Sequence, residues 1–238
     1  MRIALFIGLS FLLLFNCGAN AGFEQGLEAY KRGDYVTAFQ ELSAAASRSN
    51  SDAMVLLFKM YSGGCSVARD DEKALDLLTQ AATANNAHAQ FMLALVIMYK
   101  NNFPSDEAAH RKFEKLIQQS AEQGFSEAMR VLGGLRVGDG KEIVGDPVQA
   151  YAWFGLAMRR AMGVPEGYRA DFISLIRSNM DRVAARLSPE QIERATLLIE
   201  QLDRQTPLLR STIPVDLADC KPSGLSRPVI PPAGRPSN

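Results

Sequence analysis

Few residues of this chain could form a catalytic or metal site. It contains two histidines, His88 and His110, and three cysteines, without a His-Glu-x-x-His or a Cys-x-x-Cys. A zinc site needs about four nitrogen or sulfur ligands, usually at such spacings. We therefore expect no metal and no cofactor, and we interpret both histidines as structural or solvated residues.

The motifs of nucleophilic and phosphate chemistry are also missing. No Ser-x-x-Lys and no Gly-x-Ser-x-Gly occurs, so the signatures of penicillin-recognising enzymes and of α/β-hydrolases are absent. In the segment 138–145, Gly140-Lys141 resembles a phosphate-binding loop. However, Glu142 replaces the required Ser or Thr and Leu135 replaces the first Gly. We predict a lengthened inter-helix loop there and a protein that is not an enzyme.

Two further groups of residues invite a chemical interpretation. Asp70-Asp71-Glu72 resembles an acid/base or metal cluster, but it lies at the start of a predicted helix, where the helix dipole favours negative charge. Trp153 lies in a stripe with Tyr151 and Phe154, which indicates packing. We interpret the acidic run as a helix start and the aromatic stripe as core.

The first 21 residues predict export. Arg2 provides a positive start, and Ile3–Phe15 is an apolar run that is too short for a spanning helix of about 20 residues. Ala19-Asn20-Ala21 then matches a signal-peptidase site, with cleavage between Ala21 and Gly22. We predict a periplasmic protein with a signal peptide at 1–21 and no membrane span after cleavage.

The cysteines leave two questions open. Cys17, with Leu14 three places upstream, offers an alternative in which the protein is lipid-anchored, although Phe15 and Asn16 are larger than a lipidation signal prefers. Signal cleavage would remove Cys17 and leave only two cysteines. In an oxidising compartment these two, Cys65 and Cys220, either form a disulfide or remain two separate thiols.

Composition excludes some partners. The chain has 26 basic and 26 acidic residues, so nothing indicates an electrostatic surface for nucleic acid. The hydrophobic fraction of 47% is ample for a core, and cleavage leaves 217 residues, an ordinary length for a repeat array.

Internal repetition is the strongest signal in the sequence. Three copies begin at Ser51, Ala87 and Ser126, and the segment before them has the same two-helix rhythm with a tighter turn at Gly33-Asp34. Small residues recur 36 and 39 residues apart and are followed one turn later by leucine. The columns are Ala53, Ala89 and Ala128, then Leu57, Leu93 and Leu132, with Ala74 and Ala150 in the second helix of their copies. Small residues at fixed places let antiparallel helices approach closely, and stacked hairpins complete a core that none can form alone.

These copies resemble the Sel1-like repeat, a relative of the tetratricopeptide repeat, over about residues 22–163. The first copy retains the motif best, although Phe58 replaces the expected glycine. Its matching residues are Ala53, Leu57, Tyr61, Gly64, Asp70 and Ala74. The third copy retains Leu132-Gly133 and Ala150, whereas the second replaces the glycine loop by a segment ending in Pro104-Ser105-Asp106. The resemblance implies an all-α superhelical solenoid of antiparallel hairpins.

Two regions follow the array. Residues 164–204 predict two capping helices, the second opened by a capping box of Ser188 and Gln191 with Pro189 at the first helical position. Residues 205–238 carry seven of the 11 prolines, so we expect an extended or disordered tail.

The predicted function is a non-enzymatic scaffold in the periplasm or envelope. The resemblance implies protein partners, and we expect the exposed parts of the first helix of each hairpin to line a groove that binds them. Two alternatives stay open at this point. One is an envelope enzyme acting on peptidoglycan or a β-lactam, and the other is a structural spacer whose proline-rich tail is the binding element.

Overall fold

The computed structural model describes residues 22–100, 106–137, 145–164, 166–209 and 213, and every regular element in these ranges is a helix. Residues 22–31 form α1. The other helices are α2 (Tyr35–Ala46), α3 (Ser51–Gly63), α4 (Asp71–Thr83), α5 (Ala87–Lys100), α6 (Glu107–Glu122), α7 (Ser126–Val137), α8 (Pro147–Arg160), a 3₁₀ turn (Ala161–Gly163), α9 (Glu166–Ala184) and α10 (Pro189–Gln205). The predicted signal peptide, the predicted inter-helix loop at 138–144, Cys220 and most of the predicted tail lie outside the described residues.

The helices pack as a stack of hairpins. The pairs α3–α4, α5–α6 and α7–α8 form the hairpins, and each second helix packs against the first helix of the next, α4 on α5 and α6 on α7. Helix α2 packs on α3 in the same way. This order makes α3, α5 and α7 one layer of first helices and α4, α6 and α8 a layer of second helices.

Side-chain caps explain where the helices begin. An Asp, Asn or Ser just before the first turn accepts hydrogen bonds from backbone N–H groups that have no partner inside the helix. These caps are Asp34, Asn50, Asp70, Asp106, Asp146 and Ser188. The Asp70 carboxylate accepts from the Lys73 N–H at 2.9 Å, and Asp71 and Glu72 occupy the first turn of α4. The acidic run is a helix start, as predicted.

The repeat columns lie in the core. Ala53, Ala89 and Ala128 are fully buried, and the leucine that follows each of them is nearly so. In the third hairpin a glycine on α7 adds to this close packing. A Cβ added to Gly133 would lie 2.8 Å from ring atoms of Phe154, so this glycine sets the distance between α7 and α8. Phe154 and Trp153 are buried, in agreement with the predicted core role of the aromatic stripe.

Polar side chains near the turns between hairpins bond back to the first helix of the preceding hairpin. Asn86, which precedes α5, donates to the Asp52 carboxylate of α3 at 2.7 Å and accepts from the N–H of Ala89 at 2.9 Å, so it links the starts of α3 and α5. At the end of the next hairpin, Ser120 Oγ donates to Ala87 O and Gln123 Nε2 donates to Gln90 Oε1, each at 2.7 Å. These two bonds hold α6 and its C-cap on α5 of the same hairpin and satisfy buried polar groups.

The C-terminal helices depart from the hairpin pattern. Both α9 and α10 pack on α8 but make at most marginal contact with each other. Ile199 of α10 fits against Gly155, where a Cβ would lie 2.3 Å from its Cδ1 atom. The predicted capping box of α10 is present: Gln191 N–H donates to Ser188 Oγ at 3.3 Å, and Ser188 N–H donates to Gln191 Oε1 at 2.9 Å.

We predict that Gly133→Ala lowers the free energy of unfolding by about 1–2 kcal/mol, because the added methyl group displaces the buried Phe154 ring. Gly134→Ala is the matched control, since no atom lies within 4 Å of its added Cβ. There the higher helix propensity of alanine should stabilise α7 by up to about 1 kcal/mol. Urea unfolding measures both, and equal effects of the two substitutions would contradict the close α7–α8 contact.

Candidate functional site

One face of the first-helix layer combines charged and apolar side chains. Residues spaced i, i+3, i+7 and i+10 share a helix face, and the repeat register aligns these faces on α3, α5 and α7. We call this set the inner stripe. It consists of Asp52, Val55, Lys59 and Ser62 on α3; His88, Phe91, Leu95 and Met98 on α5; and Glu127, Arg130 and Gly134 on α7. Its charged residues distinguish it from the faces that pack on second helices.

The first helices have little fully exposed surface. No residue of α3 or α7 is exposed, and among the residues of α5 whose burial the structure gives, only Tyr99 is exposed, at 58%. By contrast, α4 and α6 each present a broad exposed face, with Asp76 and Lys115 among the exposed residues. Most members of the inner stripe are half-buried, Phe91 and Arg130 among them. The expectation that the first helices line a groove therefore stays a prediction, and half-buried side chains would form its wall.

Lys59 and His88 are the most enclosed polar members of the inner stripe, at 7% and 5% exposure. The His88 ring stacks on Phe125 at 5.4 Å between centroids. Burial, and to a lesser extent the charge of Lys59, lowers the pKa of His88 to about 4. Within the described residues its Nδ1 atom has no hydrogen-bond partner. His88 is therefore a neutral, packed histidine at pH 7.

Glu127 and Arg130 place a carboxylate and a guanidinium on the α7 part of the stripe. Burial raises the pKa of the Glu127 carboxyl, and a 2.8 Å hydrogen bond from the Ser126 hydroxyl opposes that shift. Burial also lowers the pKa of Arg130, opposed by the charge of Glu127. Because both groups are poorly hydrated, a ligand group that pairs with either would interact more strongly than at an open surface.

Residues that could have formed a catalytic or metal site serve other roles. Asp70 caps α4, Asp71 pairs with Arg69 at 2.9 Å, and His110 lies on α6 at 3.6 Å from Glu114. Within the described ranges no three His, Cys, Asp or Glu residues are grouped so that they could hold a metal ion. Two shallow depressions in this part of the chain lie on the second helices α6 and α4.

Cys65 is fully enclosed, at 1% exposure, in the turn between α3 and α4, and its sulfur is disulfide-bonded. The other two cysteines, Cys17 and Cys220, lie outside the described residues, as does Ala21 of the expected cleavage site. The Cys65–Cys220 pairing stays a prediction. In the described ranges no helix is long and apolar enough to cross a membrane.

Comparisons with known proteins identify the fold. No protein-family model and no curated protein matches the chain. Among solved structures, a Sel1 repeat protein from Oxalobacter formigenes matches at a TM-score of 0.52 and 22% identity, covering 75% of this chain and 70% of that protein. A protective antigen of uropathogenic Escherichia coli strains, c5321, which displays an SLR fold, matches at a TM-score of 0.46 and 21% identity over 79% of this chain. The present chain covers 46% of that antigen.

The fold and its stacked hairpins define a helical-repeat solenoid. More specifically, the likeness to the Oxalobacter formigenes protein shows that this solenoid has the Sel1-like repeat fold. The predicted all-α solenoid and the resemblance on which it was based are confirmed at the level of the fold.

The inner stripe has a signal in the sequence besides the motifs. In α3 a lysine, Lys59, interrupts an otherwise apolar run at the position that corresponds to Leu95 in the next hairpin. A charge at a fixed place in a buried helix indicates a face that meets something other than the apolar core. The repeat spacing gives the register of corresponding residues on α3, α5 and α7, whereas the degree of burial of this face is visible only in the three-dimensional structure.

We predict that His88 makes stability depend on pH. Its pKa is lowered to about 4 in the folded chain, against about 6.5 when unfolded, so between these values only the unfolded chain binds the proton. The contribution of His88 to the free energy of unfolding is complete above about pH 6.5. It falls by about 3 kcal/mol as the pH is lowered towards 4. His88→Phe, which preserves an aromatic ring beside Phe125, should reduce this acid-induced loss.

The measurement is urea unfolding of wild type and His88→Phe at several pH values between 4 and 7. An identical profile for His88→Phe and wild type would show that His88 is not buried in its neutral form.

We also predict that protein isolated from the periplasm contains a disulfide between Cys65 and Cys220. Peptide mapping without reduction should recover one linked peptide pair. The chain-entropy model assigns a loop of this length roughly 5 kcal/mol, so Cys220→Ser should lower the urea midpoint. Recovery of two free thiols, or of Cys65 linked to Cys17, would refute the pairing.

Proposed function

We propose that this protein is a non-enzymatic scaffold of the bacterial periplasm or envelope that binds a peptide segment of a partner protein along the inner stripe. The observation that carries the proposal is the continuity of this stripe over α3, α5 and α7. A solenoid supplies such a surface because each hairpin repeats the same face at a fixed register.

The chemistry of the stripe suits a peptide. Phe91 and Leu95 offer apolar contact, whereas the half-buried Arg130 offers a cation for a ligand carboxylate.

The location of the protein rests on the leader. An apolar segment of this length followed by Ala19-Asn20-Ala21 is typical of a cleaved signal peptide, and the enclosed disulfide of Cys65 suits an oxidising compartment. Cell fractionation with mass analysis of the mature N-terminus tests this part. A mature chain that starts at Gly22 supports it, whereas a lipidated Cys17 would establish membrane anchoring instead.

The proline-rich tail is the second candidate for partner binding. Its sequence from Lys221 onward holds Pro228, Pro231 and Pro232, a composition that suits recognition as a polyproline helix. Under that alternative the array would act only as a spacer. The two hypotheses differ in which part of the chain contacts the partner, so truncation and site-specific crosslinking separate them.

We expect a photo-crosslinking amino acid in place of Phe91 to capture the partner in intact cells, because Phe91 lies at the centre of the inner stripe. The same amino acid in place of Thr79, on the exposed face of α4, is the control and should capture nothing specific. Mass spectrometry of the crosslinked band identifies the partner. A chain truncated after Cys220 should retain the crosslink.

Loss of the crosslink in the truncated chain would assign binding to the tail. Equal capture from positions 91 and 79 would remove the inner stripe as the binding surface. An enzyme is a separate alternative: purified protein that hydrolyses peptidoglycan or a β-lactam, and loses that activity on a single substitution, would overturn the scaffold proposal.

A further inference from the structure

Helix α9 takes the place of a first helix, but it has no second helix of its own. It packs on α8 as α5 packs on α4 and α7 packs on α6, and it also contacts α7. In each aligned hairpin the first helix packs on its own second helix as well, whereas α10 packs on α8 and makes at most marginal contact with α9. Among the described elements, α9 therefore ends the stack of hairpins with one side uncovered.

Apolar side chains gather on the uncovered side of α9. The opposite side, which includes Ile176 and Val183, is fully buried. Of the seven large apolar side chains that are exposed within the described ranges, three lie between residues 162 and 175: Met162 at 74%, Tyr168 at 64% and Leu175 at 48%. Exposed apolar groups that are concentrated in one place indicate a contact surface, whereas scattered ones do not.

The exposed face of α9 has the spacing of a helix-pairing surface. We call its five members the α9 seam: Tyr168, Asp171, Leu175, Ser178 and Arg182. They follow one another at alternating steps of three and four residues, and all five are exposed. Side chains at these steps form one stripe along a helix, and two helices pair along such stripes. The α9 seam is therefore suited to contact with another helix.

The charges of the α9 seam are complementary to those of the same seam in the reversed direction. Asp171 lies in its N-terminal half, and Arg182, whose Nη2 atom donates to Asn179 Oδ1 at 3.0 Å, lies near its C-terminal end. In an antiparallel pair centred near Leu175, Arg182 of each copy lies beside Asp171 and Tyr168 of the other. The guanidinium can then pair with the carboxylate and lie against the tyrosine ring. A parallel pair would place like charges side by side.

Two other occupants fit the α9 seam less well. An anionic membrane favours a helix whose polar face is basic, but acidic and basic side chains are both exposed on α9: Glu166, Asp171, Asp181, Arg177 and Arg182. Head-to-tail stacking of copies would use two different surfaces and continue without end. An antiparallel pair uses one surface twice and closes as a dimer with two-fold symmetry, the commonest symmetry of soluble oligomers.

We propose that a second copy of this chain covers the α9 seam, so that the protein forms a two-fold symmetric dimer through antiparallel α9 helices. The dimer closes the uncovered end of both solenoids. It also carries two inner stripes in one assembly, because the α9 seam and the inner stripe share no residue.

Sedimentation velocity of the purified protein at micromolar to submillimolar concentrations tests the association. We expect a reversible equilibrium between monomer and dimer. Leu175→Lys should weaken it by about tenfold or more, the effect of losing a central contact. Leu197→Lys is the matched control, since Leu197 is 63% exposed on α10 and lies outside the α9 seam. A protein that stays monomeric or grows beyond the dimer, or equal effects of the two lysine variants, would overturn the proposal.

Charge reversal tests the antiparallel register. Asp171→Arg and Arg182→Asp each place like charges opposite one another, so we expect each variant alone to dimerise several-fold more weakly than wild type. An equimolar mixture of the two should form a heterodimer, because every arginine then meets an aspartate. The double variant should dimerise again for the same reason. If the mixture and the double variant associate no better than the single variants, the antiparallel pairing is wrong. Circular dichroism checks that all variants fold, since both sites are exposed on α9.

These measurements are independent of partner binding to the inner stripe. Partner capture from position 91 by a protein that sediments as a monomer would support the scaffold and remove the dimer. Dimerisation without partner capture would support the dimer and remove the scaffold function. A monomer that floats with phosphatidylglycerol vesicles, and no longer does so after Leu175→Glu, would assign the α9 seam to a membrane surface and overturn the proposal.

Discussion

The close approach of paired helices at small residues is the constraint on which the rest of this structure depends. No hairpin is large enough to bury its own apolar face, so each must lie tightly against its neighbours. Ala53, Ala89 and Ala128 allow this approach in successive hairpins. Gly133 allows α7 and α8 to approach more closely still, because the ring of Phe154 lies where a side chain at this position would be. Because the same distance recurs, the first helices form a regular layer and their corresponding residues align.

Directional hydrogen bonds supplement the close packing. Those of Ser120 and Gln123 hold α6 on α5 within one hairpin, and that of Asn86 links the start of α5 to Asp52 at the start of α3. A slip of the helices would leave these buried polar groups unsatisfied. The resulting register brings Lys59 near His88 on the next first helix. An aligned stripe with charges thus follows from packing distance and hydrogen bonds together.

Much of this architecture could be predicted from the sequence because it depends on local or repeated features. Ala columns, the Asp70 cap and the Ser188–Gln191 capping box each require only a few residues in one stretch. The small exposed surface of the first helices, the separation of α9 from α10 and the passage of Pro207 over Gly124 could not be predicted. Each of these depends on contacts between distant parts of the chain, and a proline-rich composition gave no sign that Leu209 and Ile213 would pack on the core.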